Sequence, residues 1–217
     1  MLRNSFLLRF SLGALGVVAL GRPLLAQGPG YPELSRESEL RLAMSAGPLT
    51  VSSKADVYLM GPNGFEKAVE GSNGWACLVV RSATQKGQVA PHCLNPQAEA
   101  TVLPSLLLEG ALQARGLDGK AIDGEMQARW RDGRLPMPSG PAYAYMLSKG
   151  QRLGESGGSF KPHFMLYVPY ASNASIGGDP RRQQFPFVGP YQNHPLATVV
   201  IIMEEFVDPA DVELPAT

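Results

Sequence analysis

Cysteine is almost absent from this chain of 217 residues: there are two, Cys77 and Cys93. Two thiols exclude a four-cysteine zinc site, an iron–sulfur cluster and a disulfide-dense scaffold. Histidine is scarce too, with three residues, so any imidazole chemistry rests on His92, His163 and His194. Neither sign of charge dominates, with 19 Lys+Arg against 19 Asp+Glu, and charged residues make up only 18 %. That balance excludes a coiled coil, a highly charged disordered chain and a basic nucleic-acid binder. Long apolar runs are missing beyond residue 26; the most apolar stretch, 196–203, has eight residues and fits a strand, not a bilayer span. What is abundant is Gly and Pro, 24 and 19 residues, which predicts a loop-rich single globular domain over 27–217.

Residues 1–26 read as a secretory signal peptide. Arg3 and Arg9 open it, an apolar run covers 10–20, and Pro23 stands three positions before Ala26, with cleavage placed before Gln27. Arg22 and Pro23 interrupt the run too early for an uncleaved anchor. The expected location is therefore exported, periplasmic or secreted. The leader holds three Arg and no acid, so the remaining chain carries a formal charge of −3. No nucleic acid and no anionic membrane surface is expected as a partner.

Export predicts that Cys77 and Cys93, 16 positions apart, form a disulfide. The bridge is expected to tie the end of a strand to the loop Gly87-Gln88-Val89-Ala90-Pro91. A reactive dithiol would call for Cys-x-x-Cys spacing, which is absent.

The pattern along the chain predicts an α+β fold: an antiparallel sheet of about six strands with helices packed on one face. A helix is expected over 33–46. Strands at 55–60, 65–70 and 75–81, separated by turns ending in Asn63-Gly64 and Asn73-Gly74, predict a three-strand meander. Helices follow at 96–114 and 120–131, then strands at 142–147, 163–168 and 196–203, the last apolar throughout and predicted to be buried on both faces. Residues 171–195 form a Gly-, Pro- and Asn-rich connection long enough to mark a ligand surface, or an exposed insertion packed by Phe185, Phe187 and Tyr191.

Three constellations carry candidate chemistry. Gly154-Glu155-Ser156-Gly157-Gly158 matches Gly-x-Ser-x-Gly, with Asp179 and His194 following, but Ser156 lacks the strand-before, helix-after setting of a nucleophile elbow. Three neutral imidazoles, His92, His163 and His194, are the residue types of an open zinc site. If the strands at 163 and 196 are antiparallel neighbours, however, His163 and His194 sit at opposite ends, about 20 Å apart. His163 has the best individual case: it shares a strand face with Met165 and Tyr167, and His163, Tyr167 and Tyr145 (or Tyr143) are expected to line a pocket. Haem would call for a Cys-x-x-Cys-His attachment run, which is missing, so no cofactor is expected.

Several segments together resemble a group of uncharacterised exported bacterial proteins. They are Ser45-Ala46-Gly47-Pro48, the stretch from Gly71 through Trp75 to Cys77 with Pro91-His92-Cys93, residues 141–147, the Lys161-to-Tyr170 run beginning Lys161-Pro162-His163-Phe164-Met165, and Phe206-Val207-Asp208-Pro209. The resemblance implies export and the Cys pair, and carries no activity. With no surviving acid–base constellation, the sequence points to a non-enzymatic binding or structural module for a small molecule or protein. The alternative is a small metal-assisted hydrolase using His163 with His92 or His194 and an acid such as Asp179.

Overall fold

The computed structural model describes residues 34–82, 87–155 and 158–215. The expected leader at 1–26 and Ser156 of the Gly-x-Ser-x-Gly match lie outside them. The described chain is α+β, built on a mixed, mostly antiparallel sheet of eight strands with six α-helices.

Helix α1, Arg36–Met44, starts where the Ser35 side chain accepts from the Ser38 backbone N–H at 3.2 Å. Short α2, Leu49–Ser52, leads into β1, Asp56–Gly61, and β2, Gly64–Val69. These two strands form the hairpin that Asn63-Gly64 predicted, with Gly64 at φ +113°. The expected meander ends there. Strand β3, Ala76–Val80, pairs with β1 in parallel, not with β2. The cause is the second Asn-Gly segment, Gly71-Ser72-Asn73-Gly74, which crosses the end of β1 instead of turning back. Gly71 donates its N–H to Asp56 Oδ1 at 2.6 Å, and Ser72 donates to the Lys54 carbonyl at 2.8 Å.

Strand β4, Ala90–Leu94, begins inside the loop expected at 87–91, where no strand is expected, and runs antiparallel to β3. Cys77 and Cys93 are directly opposite each other in that ladder and are disulfide-bonded. Helices α3 (Pro96–Thr101), α4 (Leu103–Ala114) and α5 (Gly119–Arg131) follow, the first and last capped by Asn95 and Asp118. Then come β5 (Tyr143–Met146), β6 (His163–Tyr167), α6 (Asn173–Ile176), β7 (Phe187–Val188) and β8 (Thr198–Ile202). The sheet order is β2-β1-β3-β4-β5-β6-β8-β7. Strand β8 is one place from the edge, flanked by a two-residue strand, and Ile201 is 38 % exposed, so the apolar run at 196–203 is not buried on both faces.

Alternation along the strands divides the core. Tyr58, Leu78, Leu94, Ala144 and Met165 face α3 and α4 through Val102, Leu103 and Leu106. Val57, Leu59, Cys77, Val79 and Cys93 face the other way, against Ala43 and Met44 of α1. The main helical layer thus covers one face as expected, while α1 covers part of the other. An ion pair between Glu39 and Arg81, 2.6 Å apart with both side chains 4 % exposed, ties α1 to the end of β3.

Candidate functional site

The face that carries Leu94 and Met165 is not fully filled. Between β4, β5, β6 and β8, the helices α4 and α5, and residues 173–194 lies a cavity of about 1020 Å³. Its walls are mostly apolar, with Leu106, Met126, Met146, Met165 and Phe187 among them. A second, shallower depression of about 410 Å³ lies beside the outer end of β8, around Phe185 and Met203. All three histidines line the large cavity.

The register places them. Met146 of β5 is paired with His163 of β6, and Cys93 of β4 with Tyr145, so that one residue further His92 comes level with Met146. Three neighbouring strands therefore present His92, Met146 and His163 in one row on the cavity floor. The His92 ring donates its Nδ1–H to the Ala90 carbonyl at 2.7 Å, and His163 donates Nδ1–H to the Lys161 carbonyl at 2.8 Å. A carbonyl only accepts, so both rings carry their proton on Nδ1 and keep a lone pair on Nε2. Neither Nε2 has a hydrogen-bond partner among the described residues. Burial depresses both imidazoles, His92 to about 4, and holds them neutral. Gln151 fixes the approach to β6 by donating to the Phe160 carbonyl at 2.8 Å, and the Phe160 ring stands edge-on to His163.

His194 belongs to the far end. β6 and β8 are antiparallel, with His163 opposite Ile202 and Tyr167 opposite Thr198, and the His194 carbonyl accepts from Tyr170 N–H. His163 and His194 thus lie at opposite ends of the cavity, and His194 has the reverse tautomer: its Nδ1 accepts from Leu196 N–H at 3.0 Å. Its ring packs edge-on to Trp130 at 5.0 Å and beside Tyr191 at 5.7 Å. Among the described residues no group of three or more His, Cys, Asp or Glu is placed to hold a metal ion. Asp179, the proposed acid partner, is ion-paired with Arg181 in the 171–195 connection at 3.0 Å.

Of the expected ligand residues, His163 and Tyr167 both line the cavity floor, at the two ends of β6, and burial raises the Tyr167 phenol. Tyr145 does not join them. Because Met146 is the residue opposite His163, Tyr145 is opposite Phe164, on the other side of the sheet. There Tyr143, Tyr145, Phe164 and Trp75 form an aromatic cluster, with Trp75 stacked on Tyr145 at 5.8 Å and Tyr143 against Phe164 at 4.9 Å.

Sequence reasoning missed Glu109. It lines the cavity from α4, accepts from Gln113 Nε2 at 3.2 Å, and burial raises its carboxyl to about 6. Its signal was available: a lone acid within the apolar run Leu103 to Leu112. Trp130 also lines the cavity, and its indole N–H is buried with no hydrogen-bond partner among the described residues.

Residues 171–195 form the remaining wall. Their base is closed where Tyr170 N–H meets the His194 carbonyl and Asn193 N–H the Ala171 carbonyl, both at 2.9 Å. Asn173 then holds β7 by accepting from Val188 N–H at 2.7 Å and donating to the Val188 carbonyl at 3.2 Å. No known protein family, curated protein or solved structure matches the chain.

Proposed function

We propose that this protein is an exported binding module that holds one small, largely apolar organic molecule in the cavity under residues 171–195. The observation that carries the reading is the cavity itself: about 1020 Å³ is at the upper end of small-molecule sites, and its apolar walls hold a few separated polar groups. Buried polar groups without partners cost free energy when left empty-handed. The buried Trp130 indole N–H would be satisfied by a polar atom of a bound molecule. The signal-like sequence at 1–26 and the Cys77–Cys93 disulfide support export. The hydrolase reading has less support, since Asp179 is held by Arg181 and is not among the cavity's lining residues.

Binding of an environment-sensitive apolar fluorophore, followed by native mass spectrometry of the protein from its own host, tests this. Leu106→Trp fills the cavity from α4 and is expected to lower fluorophore affinity at least tenfold while the protein stays folded. A folded wild-type protein that takes up no apolar probe would sink the reading, as would a Leu106→Trp variant that binds as well as wild type.

A further inference from the structure

We propose that His92, Met146 and His163 form a Cu(I) site on the cavity floor. Met146 and His163 are a directly paired couple of β5 and β6, His92 stands on β4 one residue beyond the last β4–β5 pair, and all three line the same cavity. Directly opposite residues in an antiparallel sheet have Cβ atoms about 4.5–5.5 Å apart, which sets the Met146 thioether beside the His163 imidazole, and His92 follows on β4 one residue beyond Cys93, the partner of Tyr145.

The tautomers single out this pair. Metal-binding histidines almost always donate their other ring N–H to a carbonyl or carboxylate, which aims the free nitrogen at the metal. His92 and His163 both have that arrangement through their own backbone, at Ala90 and Lys161. His194, whose Nδ1 accepts from Leu196, does not.

The sulfur decides which metal. Zinc takes thiolate, imidazole or carboxylate donors in a closed tetrahedral set, and a thioether is not among them. The absence of a third His, Cys, Asp or Glu donor here, among the described residues, leaves Met146 as the third ligand. Soft thioether together with imidazole selects copper, and thioether favours Cu(I). The two cysteines do not compete: they are bonded to each other, and Cys93 faces away from the cavity, against α1. Binding is lone-pair donation from two Nε2 atoms and one Sδ, with no change of oxidation state. The site lies on the floor and does not depend on the rest of the cavity holding an organic molecule.

The test is a titration of Cu(I), kept reduced with ascorbate, into the folded, disulfide-bonded protein against a chromogenic Cu(I) chelator. One equivalent is expected to be retained. Met146→Leu, which nearly conserves volume, and His163→Gln are expected to weaken retention by at least the roughly 10–100-fold that loss of an outer-shell partner costs a metal site. His194→Gln is expected to leave it unchanged. X-ray absorption at the copper edge should report two nitrogens and one sulfur, independently of how any variant folds. Wild-type protein that retains no Cu(I), a Met146→Leu variant that retains it as well as wild type, or a copper shell without sulfur would overturn the proposal. Uptake of the apolar fluorophore is measured separately, so this site and the cavity's organic ligand can fail independently.

Discussion

At the scale of single residues, the cavity places opposed titrations on one face. His92 is held at about 4, below the ordinary 6.5, because burial disfavours its charged form. Above pH 6.5 it is neutral in both folded and unfolded chains; as pH falls toward 4 the unfolded chain takes up a proton that the folded one refuses. Its contribution to stability is therefore lost with acid, and His163 and His194 are depressed in the same direction. Glu109 works against this. Raised from 4.5 to about 6, it holds its proton longer in the folded state, so its contribution is lost as pH rises through that window. In urea unfolding between pH 4 and 7, His92→Gln is expected to flatten the acid decline, and Glu109→Gln to steepen the net dependence by removing the opposing group. Part of this was readable beforehand. Alternation alone puts His163 and Tyr167 on one face, but which neighbour faces them depends on register, and register moved Tyr145 to the far side. Tautomers were out of reach of the sequence, because they are set by the carbonyls of residues 90 and 161.

At the scale of elements, the same turn signal had two outcomes. Asn63-Gly64 closes a hairpin; Asn73-Gly74 ends a crossing segment that delivers β3 parallel to β1. The difference lies at Gly71, where an added Cβ would come within 2.4 Å of the Ala55 and Asp56 backbone. Gly71→Ala is accordingly expected to destabilise the protein by about 1–3 kcal/mol, the usual cost of overpacking, seen as a lower urea midpoint. An equal midpoint in the variant would mean that the crossing does not depend on this contact. Strand β4 escaped the sequence reading for a clear reason. Pro91 argues against a central strand, since it has no N–H for the ladder. Here the β4–β5 ladder reaches only Cys93 and Leu94, so Pro91 sits where β4 has a partner strand on one side alone. The long helices were legible from their apolar spacing, although the helix expected over 96–114 is two, α3 and α4, which meet at Val102. The pattern also gave the 171–195 connection as a place to look, and its residues do wall the cavity.

At the scale of the whole molecule, the disulfide closes a 16-residue separation across a single ladder. Converting both cysteines to alanine is expected to cost about 3 kcal/mol through the freed unfolded chain. Urea unfolding at fixed pH checks this, and a loss well below 1 kcal/mol would show that the bridge does not restrain the unfolded ensemble. Its position has a further consequence. Residues 92 and 93 are consecutive, so the imidazole enters the cavity from the same strand whose next side chain is cross-linked to β3 behind it. The cavity thus has one wall riveted from the back and an opposite wall made of a two-residue strand and a connection held at its base. Under the proposed function, guests of different size would be accommodated at the second wall, while the cross-linked first wall sets the fixed point from which their chemistry is read.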